Sequence, residues 1–329
     1  MNEKIVITGM GAITPIGLGV DAYWEALVGG RSGIGLITRF DTSALSVRIA
    51  GEIQDESIAQ MMPPRLLRQT DAFSQYAYLA AEEALADAGG SLPAEPERTG
   101  IVMGTSMSGI TTIVSTQEAL TNAVHKNVGP RFVPRILGNI AATQISIAHE
   151  IKGPSLTVTT ACASGGDAIK EAAMLILADE ADAVLAVGAE SILCPLVIYS
   201  LSNTMMLSRM NDRPSEAYRP FDKGHNGFVI GEGGGALVLE RESSARARGA
   251  VIYAELAGWA NTSDAYHVIR PSSGGEGAAR CMSLALRKAG LAPDEIGYMN
   301  AHGTATKASD DAEAEAILNV FGAHTPPIS

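Results

Sequence analysis

Apolar, β-branched runs at residues 4–8, 99–104, 156–160, 183–188 and 235–240 have the length and composition of strands. Between them, residues 21–28, 71–88, 141–150 and 166–181 carry apolar positions at helical spacing. Such alternation predicts an α/β protein whose sheet faces are covered by helices. After Arg248 the pattern restarts, with a strand expected at 251–259, a helix at 275–289, a strand at 296–300 and a helix at 310–321. The second half echoes the first but is shorter, stopping at TPPIS where another strand is due. Two units are therefore expected, 1–250 and 251–329, with 240–249 (ERESSARARG) a surface turn within one globule.

The stretch SLTVTTACASGGDAIK (155–170) places Cys162 where an apolar run gives way to a helical one. A thiol at such a junction feels the positive end of the helix dipole and unpaired N–H groups, which favour the thiolate and can hold an oxyanion. The plain alternative is a small buried cysteine that fills space, the commoner fate of a free cysteine. Glycines gather at the ends of the apolar runs, at Gly9, Gly11, Gly104, Gly165, Gly188 and Gly233 among others, so the loops at strand ends are expected to carry the function. The opening GMGAITPIG resembles a dinucleotide loop but lacks the third glycine of G-x-G-x-x-G and a well-placed acidic residue, so Gly9, Gly11 and Gly17 read as turn glycines.

Composition narrows the choice. The chain has 329 residues, 46% hydrophobic and 18% charged, enough to bury a large core. A net charge of −12 without a long basic run argues against nucleic acid. Cys162, Cys194 and Cys281 are few, odd in number and without metal-ligand spacing, so neither a disulfide framework nor a metal site is expected, and a reducing cytoplasm fits. The N-terminus MNEKIVITGMG enters a strand directly, and no apolar run is long enough to span a bilayer, so neither secretion nor membrane insertion is expected.

The segment IGYMNAHGTATKASDDAEAEAI (296–317) leaves a strand at Asn300, turns through His302, Gly303, Thr304, Ala305 and Thr306, and enters a helix near Ser309 and Asp310. Asp310, Asp311 and Glu313 fall in the first helical turns, where the dipole favours carboxylates, and capping is the favoured explanation for Asp311. A lone histidine is more often structural. What singles out His302 is its strand-end place in the restarted half, matching that of the cysteine in the first, with flanking hydroxyls able to hold an amide-rich ligand.

With these residues in view, the sequence resembles the β-ketoacyl-acyl-carrier-protein synthases of the elongating type II branch. TACASG resembles the family's nucleophile motif, NAHGTAT its first-histidine motif and RPFDKGHNGFVIGEGGGALVLE (219–240) its central signature. GNIAATQISIAHEIKGPS (138–155) and SDAYHVIRPSSGGEGA (263–278) match in order and spacing, so the likeness runs along the whole chain. It implies a thiolase-like α/β fold of two similar βα halves, with stacked mixed sheets covered by helices. It also implies that Cys162 takes the acyl chain as a thioester, its own N–H contributing to the oxyanion hole. His302 would donate a hydrogen bond to the enolate formed when a malonyl thioester loses CO2. Thr304 and Thr306 would hold the pantetheine arm, while Glu313 and Asp310 would support the catalytic network, Glu313 through a lysine. No cofactor is implied beyond the phosphopantetheine that carries the substrates. The implied partners are an acyl carrier protein and a second subunit, in a homodimer or a heterodimer with a related subunit. The acidic carrier is expected on a basic patch drawn from Arg65, Arg68, Lys126, Arg131 and Arg135.

Two departures from the pattern stand out: His225 and Asn226 where the family usually reads Arg-Asp, and Lys307 where it usually has proline. Neither removes a catalytic group, and both bear on the pocket mouth. The family's catalytic lysine, second histidine and late glycine-rich loop would lie beyond Ser329, so the sequence is expected to omit a C-terminal segment, and these 329 residues alone to condense poorly. Two other readings stay open: a non-catalytic partner like a chain-length factor, and an acyl transferase or hydrolase of the same fold. The presence of both Cys162 and His302 favours the synthase.

Overall fold

The structure is a computed structural model and describes residues 3–122 and 128–329. Its backbone contacts divide the chain into two compact units of interleaved segments. Unit 1 comprises Met1–Gly33, Gly51–Val197 and Gly231–Leu256; unit 2 comprises Ile34–Ala50, Ile198–Ile230 and Ala257–Ser329. The boundary read from the sequence at residue 250 treats the halves as consecutive, whereas here two internal segments of the first half belong to unit 2.

Unit 1 is built on strands β1 (Ile5–Thr14), β2 (Gly17–Leu18), β3 (Thr99–Gly104), β4 (Ser155–Val158), β5 (Ala183–Glu190), β6 (Gly233–Arg241) and β7 (Ala254–Glu255). Among the described residues they form one mixed sheet in the order β2-β1-β6-β5-β3-β4, with β7 also on β1. Strands β4, β3 and β5 run parallel and in register, Gly104 facing both Val158 and Gly188, so their carboxyl ends finish at one edge. Crevices outside the carboxyl ends of parallel strands are where open α/β sheets place their ligands.

Helix α1 (Ala72–Asp87) lies on this sheet and buries Phe73, Tyr76, Ala77, Ala80, Ala81 and Ala84 in the main core. Burying a side chain of the Phe class stabilises by roughly 1.5–3 kcal/mol. The packing corrects one expectation. Gly9 and Gly11 are not turn residues but lie inside β1, which is longer than foreseen. A Cβ on Gly11 would stand 1.9 Å from the Ala80 carbonyl oxygen, and one on Gly9 would stand 2.2 Å from that of Ala84. Small residues here let a helix lie unusually close to a strand, and Gly11→Ala would force the two apart.

Helices α2 (Asn139–His149) and α3 (Ser164–Leu177) complete the elements that matter for the site in unit 1. A second correction concerns β4. The strand expected over 156–160 is shorter and more open: β4 ends at Val158, and Leu156 is 43% exposed. The reason is its place at the sheet edge, where among the described residues it pairs with β3 alone.

In unit 2, helices α4 (Glu276–Ala289) and α5 (Lys307–Phe321) are the long elements. The strand expected at 251–259 shortens to Ala254–Glu255, which belongs to unit 1, and the one at 296–300 reduces to a bridge between Met299 and Ile328. Helix α5 starts three residues earlier than expected, at Lys307. Among the described residues no helix is long and apolar enough to cross a membrane, and no group of three or more His, Cys, Asp or Glu side chains is placed to hold a metal ion.

Candidate functional site

Cys162 is exposed, at the centre of a 3-10 turn (Ala161–Ala163) between the end of β4 and the start of α3. The turn depends on Ala161 adopting a left-handed conformation, φ 51°, which costs an L-residue roughly 1–2 kcal/mol. Neighbouring side chains compensate. The Ser164 hydroxyl accepts from Thr160 N–H at 2.9 Å and donates to the Ala161 carbonyl at 2.7 Å, and the Thr160 hydroxyl donates to Asp167 at 2.6 Å. Gly104, at the end of β3, is required for a different reason: a Cβ there would stand 2.3 Å from the Ser164 carbonyl oxygen. The strand ends and the start of α3 thus meet around a cavity of about 440 Å3 whose lining includes Cys162, Thr105, Met107, Gly188 and Glu190.

Glu190 was not foreseen. It stands at the end of β5, where Oε2 accepts from Ser106 N–H at 2.5 Å and Met107 N–H at 2.9 Å, while Oε1 is buried without a partner among the described residues. Burial raises its pKa above the usual carboxylate range, opposed by the N–H groups of Met107, Ser106 and Ser191 and by the Thr105 hydroxyl. The signal in the sequence was only its place at a strand end. The other cysteines differ in setting: Cys194 is 5% exposed with its pKa pushed up by burial, and Cys281 is half-buried against the Ala260 carbonyl.

In unit 2 the structure brings His302, Thr304, Thr306, Asp310 and Glu313 together around the start of α5. His302 is exposed; its N–H donates to Glu313 Oε1 at 2.7 Å, and Gly303 N–H donates to Oε2 at 2.8 Å. Glu313 therefore holds the histidine's backbone directly. The hydroxyls of Thr304 and Thr306 are 2.9 Å apart and half-buried. Gly303 and Ala305 both have positive φ, 48° and 60°. Asp310, 3% exposed, accepts from Phe221 N–H at 2.8 Å through Oδ2, and its Oδ1 has no partner among the described residues. Asp311 does not cap the helix; it receives Lys307 Nζ at 2.9 Å, one turn along. Both departures, His225 and Lys307, line a single cleft of about 470 Å3 beside Asp222 and Asp310.

Of the basic residues, Arg65 Nε and Arg131 Nη1 both donate to the Gln69 side-chain oxygen, at 3.3 and 3.1 Å. Arg68 follows the short helix Pro64–Leu67 and is exposed, whereas Arg135 lies half-buried in Phe132–Ile136. Lys126 lies outside the described residues.

Profiles of a known family match along this chain: "Beta-ketoacyl synthase, N-terminal domain" over residues 2–245 and "Beta-ketoacyl synthase, C-terminal domain" over residues 253–329. The chain is 40% identical to the 3-oxoacyl-[acyl-carrier-protein] synthase 2 of Coxiella burnetii over 98% of its own length and 78% of that relative's. Its fold is similar to that of the ishigamide ketosynthase/chain length factor, with a TM-score of 0.88 and 34% identity, covering 100% of this chain and 80% of that one. It is likewise similar to AntDE:AntF, a type II polyketide acyl-carrier protein in complex with its ketosynthase bound to the hexaketide, with a TM-score of 0.88 at 29% identity over 100% of this chain and 80% of that one. The α/β architecture is therefore the thiolase-like one that the motifs implied. With two family profiles spanning nearly every residue and a relative 40% identical over 98% of its length, the chain belongs to the β-ketoacyl synthase family.

Proposed function

We propose that this protein is a β-ketoacyl-acyl-carrier-protein synthase in fatty-acid or polyketide synthesis. The observation that carries the reading is Cys162, exposed in a strained turn at the mouth of a cavity where three parallel strands end and a helix begins. The Cys162 sulfur replaces the carrier's sulfur on the acyl carbonyl and releases the carrier thiol, with the backbone N–H of Cys162 facing the oxyanion. A malonyl thioester then loses CO2. The resulting enolate carbon attacks the Cys162 thioester, a C–C bond forms, and the cysteine sulfur leaves to yield a β-ketoacyl thioester on the carrier. His302 donates a hydrogen bond to the enolate oxygen, Thr304 and Thr306 hold the pantetheine arm, and Glu313 and Asp310 keep the His302 turn in place.

The carrier is the acyl carrier protein, docking on Arg65, Arg68, Arg131 and Arg135. Rim charges of this kind act mainly on association rate and salt dependence, so reversing Arg65 and Arg131 together should weaken carrier binding and flatten its response to salt. The open edge of β4 supports pairing with a second subunit, either another copy or a related chain, because an unpaired edge is a template for another strand. The chain works in the cytoplasm.

Incubation of the protein, extended by a family-like C-terminal segment, with an acyl carrier and a malonyl carrier tests the reading. A synthase gives an acyl adduct at Cys162 by mass spectrometry and a lengthened β-ketoacyl product. Free acid instead would mean a hydrolase, and no adduct would mean a non-catalytic partner subunit. Modification confined to Cys194 or Cys281 would remove Cys162 from its role.

A further inference from the structure

The His302 turn is gripped by its backbone. Glu313 takes two of its N–H groups, and the Ala305 carbonyl accepts from Gly227 N–H at 2.9 Å. One further bond comes from a residue that no motif singled out: the Tyr218 hydroxyl donates to the carbonyl of Gly303, the residue next after the histidine. With φ values of 48° at Gly303 and 60° at Ala305, the turn uses sparsely populated conformations that persist only where the surroundings over-determine them. Tyr218 belongs to a segment that fits closely against the turn. A Cβ on Gly303 would stand 3.2 Å from Pro220 Cβ, and Phe221 N–H is tied to Asp310 at the start of α5. Burial pushes the Tyr218 pKa upward, and the charges of Asp310 and Glu313 add to the shift, so the phenol keeps its proton and stays a donor.

We propose that Tyr218 is a positioning residue for His302: by holding the Gly303 carbonyl, its hydroxyl fixes the orientation of the turn that presents the imidazole to the enolate. The inference rests on the ketosynthase reading for its catalytic consequence but not for its structural one. The plain alternative is a partly exposed tyrosine whose hydrogen bond stabilises the loop and nothing more.

Tyr218→Phe removes a single oxygen and separates the two. The loss of one hydrogen bond to an oriented group should slow decarboxylation of a malonyl carrier about five- to tenfold, leave acylation of Cys162 within about twofold, and do so only while His302 is present. In a His302→Ala background the Tyr218→Phe effect should vanish, as a double-mutant cycle reads coupling between the two residues. Decarboxylation unchanged within about twofold, equal losses in both half-reactions, or an undiminished effect in the His302→Ala background would overturn the proposal. An NMR readout stands apart from activity. The ring signals of His302, assigned among six histidines by the His302→Ala variant, should shift or broaden in Tyr218→Phe. If the wild-type protein, extended by a family-like C-terminal segment, fails to decarboxylate, the ketosynthase reading fails, and the NMR signals alone decide whether Tyr218 holds the turn: unchanged signals would sink it.

Discussion

The turn at Cys162 is held mostly by its neighbours in sequence, whereas the turn at His302 draws also on distant segments. Around the cysteine the compensating bonds come from Thr160, Ser164 and Asp167, all within seven residues of one another, with one longer bond from the Ser164 hydroxyl to the Thr105 carbonyl at 3.3 Å. Around the histidine they come from Tyr218, Gly227 and Glu313, the first 85 residues away from the carbonyl it holds. A local turn can be written as a short motif and keeps its shape wherever the strand and helix beside it form. A turn assembled from remote parts holds only when the rest of its unit is folded, which suits a group whose value lies in precise orientation.

The largest expected effects test that division of labour. Cys162→Ala should abolish acyl transfer outright. His302→Ala should still take an acyl group from its carrier while decarboxylation falls about a hundred- to thousand-fold, equivalent to roughly 2.7–4 kcal/mol for the loss of one oriented oxyanion donor. Separate single-turnover assays of the two half-reactions check this. Equal loss of both in His302→Ala would mean that the two turns do not serve separate steps.

Glu313 gives the next effect. Glu313→Ala leaves the N–H groups of His302 and Gly303 without their acceptor, and stranding a buried donor costs about 1–3 kcal/mol. Gly303 is buried and His302 exposed, so the Gly303 amide should show the greater rise in hydrogen exchange. Decarboxylation should fall with it, while the exchange of Ala163 and the acylation of Cys162 stay unchanged. If Ala163 loosens too, the turns are coupled and the contrast between them is wrong.

What the sequence made legible follows the same line. The Cys162 turn could be read because its determinants, an apolar run, small residues and a helix start, are contiguous, and the helices were located to within a few residues for the same reason. Glu190 and Tyr218 were missed because their partners, Ser106 and Gly303, are 84 and 85 residues away. Gly9 and Gly11 were misread because a glycine that admits a helix looks, in sequence, like one that makes a turn. The exposure of β4 could not be foreseen either: three successive apolar or β-branched residues look alike at the centre and at the edge of a sheet.

Acidity offers a gentler probe of the nucleophile side. Burial raises the folded-state pKa of Glu190 above its unfolded value, so the native state holds this proton more tightly. Its contribution to stability is therefore fully present below the unfolded pKa and is lost as pH rises through the folded one. Glu190→Gln stays neutral throughout and keeps an oxygen for Ser106 and Met107. Its stability relative to wild type should rise as pH climbs from about 4.5 through the raised pKa and then level off, as followed by denaturant midpoints. A difference that does not change with pH would show that Glu190 titrates normally.

The smallest effect compares the two left-handed alanines, Ala161 before the cysteine and Ala305 after the histidine, with φ values of 51° and 60°. Replacing either with glycine relieves roughly 1–2 kcal/mol of backbone strain and costs about 0.4–1 kcal/mol through the freer unfolded chain. These two contributions are shared. What differs is burial: Ala161 is exposed and Ala305 is 0% exposed, so only the second substitution also removes a buried methyl, worth about 0.8 kcal/mol. Ala161→Gly should accordingly be the more stable of the two variants by close to that amount, read as the difference between their denaturant midpoints, because the strain and chain-entropy contributions cancel. Equal midpoints would mean that the His302 turn closes over the missing methyl. A turn able to relax in that way would not need the remote grip of Tyr218 and Gly227 to keep its shape.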